Sequence, residues 1–286
     1  MLGMKPIKAR CLRLAAVFLL AAIAAGPAIV KPLHAEDRPV VRVLAAGSLR
    51  SAIGEIGAAF LSSANIAVES SFGPSGVLRE RIEKGETPDL FASADMSNPQ
   101  ALSQAGKAGP VVLFARNRLC ALVRPGLRID SSMLLTALLD PKIKIGTSTP
   151  KADPAGDYTW SMFAKTDSVQ PGNAAALQAK ALQLVGGPNS AVPPTGTDAA
   201  AWHVREGHAD IFISYCSAGV AFTKSLPDAT VVSLPERLAT SADYGLTLLP
   251  TKNVNAAALA LFILSQDGQK ILAENGFAAP LLEPMQ

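Results

Sequence analysis

The stretch VVRVLAAGSLRSA at residues 40–52 is typical of a buried strand that passes through a serine turn into a helix. Val40 to Ala45 predicts the strand, and Leu49 to Ala64 predicts a helix whose apolar face carries Ile53, Ile56, Phe60 and Leu61. Gly47 and Ser48 lie at the turn between the two elements. A helix N-terminus leaves backbone N–H groups without partners, so this turn can offer several donors to an anion.

The residues before this strand have the pattern of a secretory signal peptide. A basic segment containing Lys5, Lys8, Arg10 and Arg13 precedes the apolar run from Leu14 to Val30. We predict cleavage after Ala35, so that residues 1–35 are a signal peptide and the mature chain lies in the periplasm. The alternative is an uncleaved membrane anchor, although Gly26 and Pro27 interrupt the apolar run near its end.

Charge and cysteine content limit the possible partners of the mature chain and the possible states of its cysteines. Residues 1–35 contain five of the 26 Lys and Arg residues and none of the 23 Asp and Glu residues, which leaves a net charge of −2. This balance gives no support for nucleic acid as a partner. Cys120 and Cys216 remain after cleavage. A disulfide and two buried free thiols both stay open as interpretations.

Strand-like and helix-like stretches alternate along the rest of the chain. This alternation predicts an α/β fold with mostly parallel strand pairing. Further strands are predicted at 67–72, 89–94, 142–146, 210–215 and 244–249, with a pair of strands within 111–123 around Arg116 and Asn117. Further helices are predicted at 77–84, from Tyr158, and at 173–184, 198–206 and 256–276, with a loop at 186–196.

Small or hydroxyl residues recur where a helix begins. They are Gly47-Ser48, Gly73-Pro74-Ser75-Gly76, Pro154-Ala155-Gly156 and Thr195-Gly196-Thr197-Asp198. Each turn taken alone is explained by ordinary helix capping. Four of them in one chain predict a cleft in which neutral donors bind an oxyanion.

Six segments, taken in order, resemble the periplasmic molybdate-binding proteins of ABC importers, which are type II periplasmic solute-binding proteins. The segments are Ala45–Leu49, Ser71–Gly76, Pro88–Asp95, Phe114–Leu119, Asp153–Tyr158 and Ile213–Tyr215. The resemblance covers essentially the whole mature chain. It implies two α/β lobes with mixed, mostly parallel sheets, joined by crossover strands, with the ligand cleft between the lobes. The first lobe would comprise 36–117 and the return segment 245–286, and the second lobe 118–244.

The resemblance also implies the ligand-binding residues. Ser48 and Ser75 would donate from the first lobe, and Ala155, Thr197 and Tyr215 from the second. The implied ligand is molybdate or tungstate, bound as an oxyanion without a free metal cation or a cofactor. A monomer would then deliver it to a membrane ABC permease.

A site built only from donors selects among anions. Hydrogen bonds from neutral donors to an anion contribute about 1.5 to 3 kcal/mol each. Hydrogen phosphate carries a proton that would face another donor, so we expect its rejection, whereas sulfate can be excluded only by cavity size. The same fold with another ligand, such as sulfate, thiosulfate or a small organic anion, stays open.

Several residues depart from the family pattern or allow two interpretations. Pro74 offers no N–H, Thr197 stands where the family has an apolar residue, and Cys216 follows Tyr215 where small or polar residues are usual. Arg50, Arg79 and Arg81 can lie on solvated helix faces or reach the cleft.

The sequence predicts that the chain is not an enzyme. His203 and His208 are five residues apart, which does not place them on one helix face. The Gly73 turn lacks the last glycine of a nucleophile elbow, and no Cys/His metal pattern occurs. Asp89 and Asp95 are interpreted as turn and cap residues. A secreted hydrolase is the alternative of another class, and a protein-binding module gains little support from an aromatic content of 5%.

Overall fold

The computed structural model describes residues 39–195 and 197–280. The predicted signal peptide at 1–35, Gly196 and the last residues of the predicted return segment lie outside the described residues. Within the described part, no helix is both long and apolar enough to span a membrane.

Nine strands form one sheet in the order β2-β1-β3-β9-β4-β7-β5-β6, with β8 paired to β4. The strands are β1 Val40–Ala46, β2 Ala67–Gly73, β3 Leu90–Ser93, β4 Val111–Val123, β5 Ile145–Ser148, β6 Leu182–Val185, β7 Ile211–Tyr215, β8 Thr230–Ser233 and β9 Ser241–Leu248. The fold is mixed α/β, as predicted. Four of the eight described pairings are parallel and four are antiparallel. Antiparallel pairing has this large share because β4 and β9 run opposite to every strand beside them.

Ten α-helices accompany the sheet in the described residues. They are α1 Arg50–Ala64, α2 Ser75–Glu83, α3 Ser97–Gln104, α4 Leu134–Leu139, α5 Pro154–Lys165, α6 Asn173–Lys180, α7 Ala199–Arg205, α8 Gly219–Ser225, α9 Asn255–Leu264 and α10 Gln266–Glu274. Helix α1 buries Ile53, Ile56 and Phe60 against the sheet, as its periodicity predicts. It ends at Ala64, and the next residue, Asn65, adopts the left-handed conformation with φ 56°.

The predicted pair of strands within 111–123 is wrong, because β4 is one strand of 13 residues. Arg116 and Asn117 do not turn the chain. They pair with Asp243 and Ala242 of β9 in the regular register. From Leu119 onward β4 pairs with β7 instead, where Leu119 lies opposite Tyr215. β4 is therefore one continuous strand that belongs to both halves of the sheet. One half contains β2, β1, β3 and β9, and the other contains β7, β5, β6 and β8.

The predicted helix at 173–184 is correct only as far as Lys180. Ala181 is extended, and Leu182–Val185 forms β6, which pairs with β5 at the edge of the sheet. Alanine and leucine favour a helix locally, but strand pairing with β5 decides the conformation after Lys180. The short elements α3, α4, α8 and β8 carry too little periodicity for the sequence to predict them.

A disulfide joins Cys120 of β4 to Cys216, which directly follows β7. The interpretation as two free thiols is therefore wrong. The Cα atoms are 4.9 Å apart, across neighbouring antiparallel strands. The bond fixes the chain immediately after Tyr215 to the strand shared by both halves of the sheet.

Candidate functional site

Ser48 lies in a short 3₁₀ turn, Gly47–Leu49, between β1 and α1. No side chain caps the N-terminus of α1, which begins at Arg50. The Ser48 hydroxyl oxygen lies 3.0 Å from the phenolic oxygen of Tyr244 on β9. The turn thus presents a hydroxyl at the carboxyl end of β1, beside uncapped backbone N–H groups.

Ser75 is the first residue of α2 and is completely buried. The helix begins two residues earlier than the predicted start at Val77. The Ser75 hydroxyl oxygen accepts a hydrogen bond from the Ala94 N–H at 3.0 Å, and its own proton remains available for donation. The next residue, Gly76, donates its N–H to the Ala152 carbonyl at 3.1 Å. The start of α2 therefore contacts the loop that precedes α5.

Ala155 lies in the first turn of α5, which begins at Pro154 because proline is well suited to the first helical position. Its N–H donates to the side-chain carboxylate of Asp153, the N-cap residue, at 3.1 Å. The predicted anion donor therefore already has a carboxylate partner. The sequence analysis assigns no role to Asp153.

Thr197 is half-buried, and its N–H donates to the Pro194 carbonyl at 3.0 Å. The following residue, Asp198, caps α7 by accepting from the Ala201 N–H at 2.8 Å. The hydrogen bonds and aromatic contacts of the described residues do not link Thr197 to the other four predicted ligand residues. They do connect Ser48 with Tyr215 through Tyr244. The hydrogen bond from Gly76 to Ala152 connects the segment that contains Ser75 with the segment that contains Ala155.

Tyr215 ends β7 and is 3% exposed, and its hydroxyl has no hydrogen-bond partner among the described residues. Its ring lies between those of Tyr158 and Tyr244, at centroid distances of 6.3 and 5.6 Å. Tyr244 contributes to the raised pKa of Tyr215, but the two hydroxyls do not have the geometry of a hydrogen bond. Burial raises the pKa of Tyr215 well above its ordinary value, so the phenol is protonated and can donate.

A polar chain centred on Tyr244 is the part of the site that the sequence missed. Tyr244 is fully buried, and besides Ser48 its hydroxyl contacts the Asn117 side-chain amide nitrogen at 3.4 Å. Asn117 in turn donates to the Ser217 hydroxyl at 2.7 Å. Burial raises the pKa of Tyr244, so it too stays protonated. Its only signal in the sequence is a tyrosine at the start of the predicted strand 244–249.

The three arginines near the first turns have local partners. The Arg50 guanidinium lies 4.5 Å from the ring centroid of Phe72, and Arg81 pairs with Glu86 at 2.6 Å. Arg79 lies 3.3 Å from a Glu83 carboxylate oxygen on the same helix. These contacts agree with the interpretation as helix-surface residues. The groups assembled at the candidate site are neutral hydroxyls, together with the carboxyl of Asp153.

Asp89 and Asp95 have structural partners, in agreement with their interpretation as turn and cap residues. Asp95 accepts from the N–H and the side-chain amide of Asn98 in the first turn of α3, at 3.1 and 2.8 Å. Asp89 accepts from the Arg42 N–H at 2.8 Å and from the Thr251 hydroxyl at 2.5 Å.

His203 and His208 do not share a helix face, as predicted, but the fold brings them together. Helix α7 ends at Arg205, and Gly207 at φ 70° turns the chain back, so that the two Nδ1 atoms are 3.1 Å apart. Burial, and then His208, lower the pKa of His203. Within the described residues no group of three or more His, Cys, Asp or Glu side chains could hold a metal ion.

The fold is shared with periplasmic binding proteins of known structure. The profile of the bacterial extracellular solute-binding protein family matches residues 41–278, and the chain belongs to that family. The resemblance to periplasmic molybdate-binding proteins is confirmed at the level of family and fold.

Several individual proteins are similar to this chain. The chain is 36% identical to the uncharacterized protein PM1146 of Pasteurella multocida, over 83% of this chain and 98% of the relative. It is 25% identical to the molybdate-binding protein ModA of Mycobacterium bovis, over 83% of this chain and 84% of that protein. The periplasmic molybdate-binding protein of Azotobacter vinelandii superposes with a TM-score of 0.67 at 18% identity, over 84% of this chain and all of that structure.

Proposed function

We propose that this protein is the periplasmic binding component of an ABC importer and binds a tetrahedral oxyanion, molybdate or tungstate. The ligand donors are the hydroxyls of Ser48, Ser75 and Tyr215 and the N-terminal turns that carry Ala155 and Thr197. No cofactor takes part, and the anion is released unchanged, so the protein is not an enzyme.

The buried hydroxyl of Tyr215 is the observation that carries this proposal. A buried hydroxyl without a partner costs about 1 to 3 kcal/mol. Tyr215 is protonated and 3% exposed, and no described residue accepts its proton. An oxyanion oxygen within reach of this phenol and of Ser48 would satisfy the donor. The unpartnered hydroxyl thus costs free energy in the ligand-free protein, and a bound oxyanion recovers that free energy by accepting its hydrogen bond.

The strand pairings support two lobes that close on the ligand. β4 changes partner from β9 to β7 at Leu119, close to the proposed boundary at 117/118. β9 begins to pair with β3 at Gly245, which matches the proposed return at 244/245. The Gly76–Ala152 hydrogen bond then joins the first lobe to the second. Separation of the two lobes at the permease, with loss of this hydrogen bond, would open the site.

The choice of molybdate or tungstate rests on the resemblance and on the curated relatives named for molybdate. Sulfate, thiosulfate and small organic anions are the competing ligands. Thermal unfolding of the protein lacking residues 1–35, with each anion in turn, separates them, because a ligand stabilises the folded state in proportion to the logarithm of its concentration over Kd. A rise in Tm with molybdate and tungstate, and none with the other anions, is expected. A rise with sulfate alone would contradict the ligand assignment.

Ser48→Ala is expected to weaken molybdate binding by about 1 kcal/mol, roughly fivefold, because one neutral donor is lost. Tyr244 keeps Asn117 as a partner, so the free energy of unfolding should stay close to that of the wild type. Ser75→Ala is a poorer test, since it would leave the buried Ala94 N–H without an acceptor. Titration calorimetry on Ser48→Ala, together with urea unfolding, measures both quantities. Wild-type affinity in this variant would remove Ser48 from the site.

The proposed setting of the protein follows from its sequence. Cleavage after Ala35 would release a monomer with a net charge of −2, which gives no support for nucleic acid as a partner. A small oxyanion and a membrane permease are its proposed partners. The intact mass of the exported protein tests the cleavage site. A mass that includes residues 1–35 would favour the uncleaved anchor.

A further inference from the structure

An acidic side chain lies among the donors of the candidate site. Asp153 is the N-cap of α5, and its carboxylate accepts from the N–H of Ala155 at 3.1 Å. An anion that approaches this helix N-terminus must therefore meet a carboxylate. The site is not composed of donors alone, which corrects the expectation from the sequence.

The surroundings of Asp153 place it at the contact between the proposed lobes. A Cβ atom built on Gly186 would lie 2.9 Å from the Asp153 Cβ and 3.4 Å from the Pro74 Cγ. Gly186 therefore lies close both to Asp153 and to Pro74 in the turn that precedes Ser75. The negative charge of Asp153 also raises the pKa values of Tyr215 and Tyr244. Its carboxylate also occupies the N–H of Ala155, which is one of the donors proposed for the ligand.

The surroundings of Asp153 favour its protonated form. Burial is the main cause, with smaller contributions from Asp157 and Asp95, and together they raise the pKa of Asp153 to about 6 against the hydrogen bond from the Ala155 N–H. Lys151 is exposed and bonds Asp157 through its N–H. No described Lys, Arg or His forms a salt bridge with Asp153. An ionised Asp153 would repel a bound anion, and no described salt bridge would neutralise its charge.

We propose that the site binds its oxyanion together with one proton, shared between the carboxyl group of Asp153 and an oxygen of the ligand. This inference rests on the proposed function. With a fully deprotonated anion such as sulfate or molybdate, the proton comes from solvent and resides on Asp153, which then donates to the ligand. With hydrogen phosphate or a phosphate monoester monoanion, the ligand brings the proton and Asp153 accepts it. The expected rejection of hydrogen phosphate therefore no longer follows.

Proton uptake is measured by titration calorimetry with molybdate and sulfate in two buffers of different ionisation enthalpy. Above the pKa of Asp153, we expect uptake of about one proton per bound dianion. Affinity should be constant below about pH 6 and fall by up to tenfold for each pH unit above it. Asp153→Asn should abolish the uptake and the pH dependence, because asparagine keeps the cap and donates without ionising. Its free energy of unfolding at neutral pH should also rise, since ionisation of a group with a raised pKa disfavours the folded state.

Asp167→Asn is the matched control. Asp167 accepts from the Ala174 N–H at 2.9 Å near the start of α6, and no described contact joins it to the site. This variant should keep the wild-type pH dependence. Tight dianion binding without proton uptake by the wild type would overturn the inference and leave the proposed function intact. If the wild type binds no oxyanion at any pH, the proposed function fails and this inference fails with it. The wild-type titration decides the question even if Asp153→Asn does not fold.

Discussion

Tyr215→Phe is expected to weaken oxyanion binding by about 1.5 to 3 kcal/mol, or about 10- to 150-fold, without destabilising the free protein. The phenol is buried and protonated, and it has no partner among the described residues. Its removal therefore takes a donor from the ligand but breaks no described hydrogen bond. Urea unfolding should give a free energy equal to or above that of the wild type. Titration with molybdate should give the loss of affinity.

Tyr244→Phe provides the contrast. Its hydroxyl contacts both Ser48 and Asn117, so its loss should lower the free energy of unfolding as well as the affinity. If Tyr215→Phe behaved like Tyr244→Phe in both measurements, the Tyr215 hydroxyl would have a structural role. Unchanged affinity in Tyr215→Phe would remove it from the ligand-binding set.

Gly76→Ala is expected to reduce affinity by about 1 to 3 kcal/mol or more, because it obstructs the contact between the proposed lobes. The added Cβ would lie 2.4 Å from the Lys151 carbonyl oxygen and 2.9 Å from that of Ala152. Both are backbone atoms and cannot move aside as a flexible side chain could. When the lobes are apart, alanine in α2 costs nothing, so the protein should fold normally. Titration calorimetry and thermal unfolding measure the two effects.

Gly54→Ala is the matched control on α1, where an added Cβ meets no atom within 4 Å. It should raise stability by about 0.5 to 1 kcal/mol and leave affinity unchanged. Wild-type affinity in Gly76→Ala would show that the approach of Gly76 to Ala152 is not required for binding. The closure mechanism would then be wrong.

Hydrophobic pattern and turn residues predicted the first three strands well. Residues 40–94 have strong strand periodicity and clear Gly and Pro punctuation, and β1, β2 and β3 lie where predicted within one or two residues. The error at 173–184 arose because a local preference for helix was overridden by pairing with β5. The error at 111–123 arose because a single sequence does not show that one strand pairs with two sets of partners.

The candidate site was predictable where turn chemistry marks it and not where distant residues meet. Ser48 and Ser75 stand in recognisable turns, and the structure places both at helix starts. Tyr244 joins Ser48 across 196 positions of sequence, which no local pattern encodes. The proximity of His203 and His208 depends on the reversal at Gly207, where helical periodicity no longer applies. Asp153 has the sequence signal of an ordinary cap, and only its surroundings in the fold place it among the donors.

Calorimetric titration of the protein lacking residues 1–35 with molybdate, tungstate, sulfate, thiosulfate and phosphate tests the central claim most directly. The account predicts tight, reversible one-to-one binding of molybdate and tungstate, weakened in Tyr215→Phe. Absence of binding by all five anions, or binding that Tyr215→Phe leaves unchanged, would contradict it.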